Sequence, residues 1–152
     1  MLSPLLLATV AASAVGVGPL PPLPLLSAPA PATSLTVSIE RSGYAEADGT
    51  FRLECGGSEG SGGTAAPGGT HPAAENACKR LEQLTRAGGG ADDPFAAVPE
   101  GQMCTEQYGG PATAHITGTW QGRTVDARFS RVNGCEIDRW ENLRPVLPHV
   151  KG

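Results

Sequence analysis

Four cysteines, Cys55, Cys78, Cys104 and Cys135, restrict the fold of this chain more than any other feature. Between successive cysteines lie 22, 25 and 30 residues. There is no C-x2-C pair, and His71, His115 and His149 are scattered, so the spacing does not suit zinc. An even number of cysteines in a small exported domain reads instead as two disulfides, and pattern alone leaves three pairings open. A disulfide that closes a loop of tens of residues is worth up to ~3–4 kcal/mol in the chain-entropy account, a large share of a small domain's stability.

Export is suggested by the start of the chain. No Lys, Arg, Asp or Glu precedes Glu40, and all 26 charged residues and all seven aromatic residues lie from there on. The run from Ser3 to Gly18 has the character of the apolar core of a secretory signal, and Ala28–Ala32 offers small-residue cleavage sites. The positive charge such a signal needs can come only from the α-amino group, since no Lys or Arg stands near Met1. Prolines between Pro19 and Pro24 interrupt the ~20 apolar residues that a membrane span requires. Residues 1–32 therefore read as a signal peptide or Pro-Ala-rich leader, and residues 33–152 as one domain with a modest core. Formal charge is −4, and the only basic cluster is the Lys79-Arg80 pair, which argues against nucleic acid as a partner.

Within the domain, Leu35, Val37 and Ile39 alternate with polar neighbours, as do Phe51, Leu53 and Cys55. This period of two predicts an antiparallel hairpin whose loop contains Gly43 and Asp48-Gly49. The stretch from Gly56 to Thr70 is low in complexity and reads as a mobile loop in which nothing can pack. Its Gly56-Gly57-Ser58-Glu59-Gly60 matches the G-x-S-x-G of hydrolases, but glycine follows where the strained turn needs a helix. From His71 onward, Ala74, Ala77, Cys78, Leu81 and Leu84 fall on one helical face, with Glu75, Lys79, Glu82 and Arg86 outside. Thr70 or His71 is placed to cap this helix, Pro72 to occupy its first turn and Gly88 to end it.

A second hairpin is predicted around Gln121-Gly122, with Ala114, Ile116, Gly118 and Trp120 on one face of the first strand. Val125, Ala127 and Phe129 form the matching face of the second strand, which assigns Trp120 and Phe129 to the core. Glu136 to Asn142 suits a short helix, and Trp140 within it has no evident role. The tail contains apolar Val146, Leu147 and Val150, but two prolines argue against a central strand. This order of elements predicts an α+β domain with helices packed on an antiparallel sheet.

Taken in order, "LTV", "GTHPAAENAC", "MC" followed by a tyrosine, "TGTWQGRTV" and "NGCE" resemble the subtilisin-inhibitor-like family of the Streptomyces subtilisin inhibitor type. The resemblance runs from about Leu35 to Ile137. It implies a five-stranded antiparallel sheet with two short helices, secretion, homodimers formed through the sheet, and disulfides Cys55–Cys78 and Cys104–Cys135. It also implies an inhibitor of secreted serine endopeptidases rather than an enzyme, with no catalytic residue, cofactor, metal or membrane partner. In that register the reactive bond is Glu106–Gln107. Met103, Cys104, Thr105 and Glu106 become P4 to P1, and Gln107 and Tyr108 become P1′ and P2′. The chain departs from the family in its longer Gly56–Thr70 loop, an extra residue in Gly109-Gly110-Pro111, its proline-rich end and a Glu at P1.

A glutamate at P1 narrows the target. An unpartnered carboxylate in an apolar pocket costs several kcal/mol, and a trypsin-like acidic pocket repels it. A glutamate-preferring protease is the expected target, with subtilisin-type enzymes retained because Met103 and the loop backbone supply much of the contact. The alternative is a secreted, disulfide-stabilised binding module on the same scaffold that no longer inhibits.

Overall fold

The computed structural model describes residues 33–56, 67–87 and 93–152. The leader, Ser58 with the glycines around it, and the Gly88 helix end lie outside the described residues. Strands β1 (Thr33–Glu40) and β2 (Gly49–Cys55) form the first antiparallel hairpin, and β4 (Thr113–Trp120) and β5 (Arg123–Phe129) the second. With the short β3 (Gly68–Gly69) they make one five-stranded sheet in the order β3-β2-β1-β4-β5, antiparallel throughout. Helices α1 (Ala74–Ala87) and α2 (Gly134–Asn142) complete the α+β fold.

The alternating strands behave as their pattern requires. Leu35, Val37, Ile39, Leu53, Ile116, Trp120, Val125 and Phe129 are buried, while Ser34, Thr119, Asp126 and Arg128 stay exposed on the opposite face. Trp120 pairs with Arg123 across the Gln121-Gly122 turn, where φ is positive at both residues. Gly118 has φ +130°, and a Cβ there would overlap the Ser34 carbonyl oxygen, so only glycine lets β4 lie this close to β1. On α1, Ala77, Cys78 and Leu81 are buried, Ala74 and Leu84 pack against the core, and Lys79–Glu75 and Arg86–Glu82 pair on the outer side. The Cys55–Cys78 disulfide ties the end of β2 to this helix.

Two expectations need correction. The Gly-rich segment does pack at its end: Gly68 and Gly69 pair with Glu54 and Leu53, and the amides of Thr70 and His71 donate to the Arg52 carbonyl. The lack of a side chain is what permits it, because a Cβ on Gly69 would overlap that same carbonyl. The helix starts at Ala74, after Pro72, and His71 is more than a cap. Its Nδ1 accepts from the Ala73 amide at 3.2 Å, and its buried ring also bonds the Val146 carbonyl through Nε2 at 2.9 Å. As its two prolines indicated, the tail after α2 forms no strand, and its Leu143, Val146, Leu147 and Val150 fill the core. Trp140 finds its role here, fully buried and donating from Nε1 to the Pro148 carbonyl at 2.9 Å.

Because Nδ1 accepts a hydrogen bond, His71 sits in the fold as the neutral tautomer with its proton on Nε2. Burial lowers its pKa below 6.5, partly opposed by the Val146 bond. The unfolded chain thus binds a proton that the fold excludes, so stability is full above the ordinary histidine pKa and declines as pH falls below it. Thermal unfolding should drop by roughly a few degrees between pH 7.5 and 5.5. His71→Gln should be less stable at pH 7.5 and have a flatter pH profile; an unchanged slope in that variant would contradict this assignment.

Candidate functional site

The segment that leads from α1 toward β4 emerges at the surface as an exposed arc. A turn at Asp93–Ala96 is fastened to α2 by Arg139, whose Nε donates to the Ala96 carbonyl at 2.8 Å and which also pairs with Glu136. The Arg139 guanidinium lies 4.4 Å from the Phe129 ring centroid, which fixes it over the end of the sheet. From there the chain reaches Met103, the most exposed large apolar residue described, at 94%. Cys104 follows and is bonded to Cys135 in the first turn of α2.

Beyond the disulfide, the arc is tied down at both ends to one short stretch, Arg131–Gly134. The Gly134 amide donates to the Thr105 carbonyl at 3.0 Å. At the other end the Gly109 amide donates to the Arg131 carbonyl at 2.8 Å, and Arg131 Nε returns a bond to the Gly109 carbonyl at 2.8 Å. Between these ties Glu106, Gln107 and Tyr108 are exposed, Tyr108 at 65%. At that exposure Tyr108 is not packed against the body as a loop anchor. Glu106 makes no ion pair with any described residue.

The stretch beneath the arc is itself held firmly. Asn133 caps α2, its side chain accepting from the Glu136 amide at 3.0 Å. Gly134 is crowded, because a Cβ there would overlap Thr105 Oγ1 and could be admitted only if that hydroxyl turned away. Gly109 is equally confined, its Cβ position lying 2.9 Å from Ile137 side-chain carbons. Gly110 takes φ +99° against the Lys151 carbonyl, which joins the outgoing chain to the C-terminal tail.

The residues singled out from sequence, Met103 to Gln107 with Tyr108, thus form one continuous segment, exposed except at the half-buried Cys104, which is bonded to Cys135. Sequence reasoning missed Arg131, Gly134 and Asn133. Asn133 before an acidic residue at the start of a short helix was a readable cap signal, whereas nothing in the sequence separates Arg131 from a surface arginine. Among the described residues there is no cluster of His, Cys, Asp or Glu able to hold a metal ion. None of their helices is long and apolar enough to cross a membrane.

The family model for subtilisin inhibitor-like proteins matches residues 32–133. Subtilisin inhibitor-like protein 1 of Streptomyces cacaoi is 40% identical over 77 residues, covering 47% of this chain and 63% of that protein. Subtilisin inhibitor-like protein 2 of Streptomyces rochei is 43% identical over 67 residues, covering 44% of this chain and 54% of that protein. The matches therefore span less than two thirds of either relative's length. Among solved structures, Streptomyces caespitosus sermetstatin, crystallised with Bacillus licheniformis subtilisin, aligns with 72% of this chain and 90% of its own at 22% identity and a TM-score of 0.39.

Removing the bridge under the arc tests what holds it. The double variant Cys104→Ala/Cys135→Ala should lose ~2–4 kcal/mol of stability. Limited digestion with a broad-specificity protease should cut this variant first between Met103 and Gly110. Retention of wild-type resistance in that segment would show that the hydrogen bonds alone immobilise it.

Proposed function

The chain belongs to the subtilisin inhibitor-like family, a family of protease inhibitors and not of enzymes, and from that membership we propose that it is a secreted inhibitor of serine endopeptidases with Glu106–Gln107 as its reactive bond. The observation that carries this reading is the arc from Thr105 to Gly109, tied at both ends to Arg131–Gly134 with Glu106, Gln107 and Tyr108 exposed between. An extended segment of this kind pairs with a protease cleft by β-type backbone bonds. Because the segment is held before binding, little conformational entropy is lost on association. When the bond is cut, both new ends stay where they were, and the amine can attack the acyl-enzyme again. The balance then favours a long-lived complex over released fragments.

In this register Met103, Cys104 and Thr105 run along the unprimed side as P4 to P2, Glu106 fills the specificity pocket, and Gln107 and Tyr108 lie on the primed side. The exposed Met103 and Tyr108 are large side chains left without a core partner, as contact residues should be. A pocket with basic or histidine donors accepts the Glu106 carboxylate, while an apolar pocket does so only at a desolvation cost. Glutamate-preferring secreted proteases are accordingly the best target, with subtilisin-type enzymes second. Export is supported by the charge-free composition before Glu40. Homodimers through the uncovered sheet face, which carries Ser34, Thr119, Asp126 and Arg128, are carried over from the resemblance and are read by sedimentation equilibrium.

Stepwise titration of a glutamate-specific serine protease and, in parallel, of subtilisin with the oxidised protein tests this reading. A sharp stoichiometric endpoint with the first enzyme is expected. Glu106→Leu should weaken that inhibition by about 100-fold or more and strengthen inhibition of subtilisin. An endpoint with subtilisin alone would keep the inhibitor and overturn the role of Glu106. Complete cleavage after Glu106 without inhibition would leave a binding module on the same scaffold.

A further inference from the structure

We infer that Arg131 is a positioning residue for the primed side of the reactive arc, an inference that rests on the inhibitor reading for its functional consequence. Arg131 is only 9% exposed, an unusual place for a guanidinium on a protein of this size. It uses two edges of its planar fork for two tasks. Nε donates to the Gly109 carbonyl at 2.8 Å, and Nη1 donates to Glu141 Oε1 on α2 at 2.7 Å. Its carbonyl accepts from the Gly109 amide, so one residue grips both polar groups of Gly109. The guanidinium carbon lies 5.9 Å from the centroid of the buried Trp140 ring, which backs it from the core side.

The two ends of the arc are therefore held by different means. The unprimed side is held covalently, through Cys104–Cys135, with the Gly134–Thr105 bond beside it. The primed side has no covalent tie of its own, and cleavage at Glu106–Gln107 would leave Gln107 and Tyr108 connected to the body only through Gly109 and the chain beyond it. Arg131 is the group that fixes Gly109. Its anchor, Glu141, is shared with Arg144 at 3.0 Å, so the carboxylate keeps a cationic partner when Arg131 is altered. Part of the support for a loop in the family-matched region thus comes from Trp140 and Glu141, beyond residue 133 where that match ends.

A lysine at this position keeps the charge but offers a single ammonium to acceptors that the arginine reaches from two separate nitrogens. The test is amide hydrogen exchange on the full oxidised chain, comparing wild type with Arg131→Lys, Arg131→Gln and Glu141→Gln. Two amides mark the two ends: Gly109 N–H reports the primed side and Gly134 N–H the disulfide side. Exchange at Gly109 should rise by about tenfold or more in both Arg131 variants, and less in Glu141→Gln, while Gly134 stays as in wild type. Turnover of the variant inhibitors by subtilisin should rise by a similar factor. Equal acceleration at both amides, or none at Gly109, would overturn the inference and reduce Arg131 to a general packing residue. If Arg131→Gln does not fold, Arg131→Lys and Glu141→Gln carry the same comparison. Selective release of Gly109 in a protein that inhibits no protease would uphold the positioning role and defeat the inhibitor reading instead.

Discussion

The structure depends on a chain segment that is exposed yet tied to the body at both ends. An exposed stretch normally gains its order from packing, and Glu106, Gln107 and Tyr108 have little to pack against. Their order comes from what lies on either side: a disulfide and a backbone bond before them, and a two-bond grip on Gly109 after them. All of these reach down to Arg131–Cys135, where β5 gives way to α2. The rigidity of the arc is therefore only as good as the placement of that junction.

Placement of the junction is what the core provides. Asn133 starts α2 at a defined residue, Trp140 anchors it from the buried side, and the tail after it returns beneath the arc to place Lys151 against Gly110. The Lys151 amide donates to the Ser42 carbonyl at 2.9 Å, which joins the tail to the β1–β2 loop, and His71 joins it to the start of α1. Close packing of this kind transmits a displacement instead of absorbing it. A loss at Trp140 or His71 should for that reason be felt at the arc as well as in overall stability.

Much of the sheet was legible because its side chains alternate with a period of two, so Leu35, Val37, Ile39, Ala114, Ile116 and Phe129 announce both strand and face. The helical face of α1 and the Gln121-Gly122 turn were legible for the same kind of reason, a local rule with a local signature. β3 was not, because two glycines carry no side-chain pattern and their pairing is visible only in the close approach to Arg52. The apolar tail was not either: it is buried irregularly, without a period that sequence can display. As for the site, composition showed Glu106 only as an exposed acid, and the family register was needed to give it a place. Arg131 stayed hidden because arginines are ordinarily found at the surface, and its burial depends on Glu141, Trp140 and Gly109 meeting in space.

If the ties at Cys104, Thr105 and Gly109 do their work, both sides of the arc stay in place when its bond is broken, and resynthesis measures that. Protein cleaved at Glu106–Gln107, with both disulfides intact, would be incubated with a catalytic amount of the cleaving protease until the ratio of intact to cut chain is constant. Intact chain should reappear and reach an amount comparable to the cut form, because the new amine and the new carboxylate remain adjacent. Cleaved protein that stays cleaved, from a preparation still folded, would contradict this.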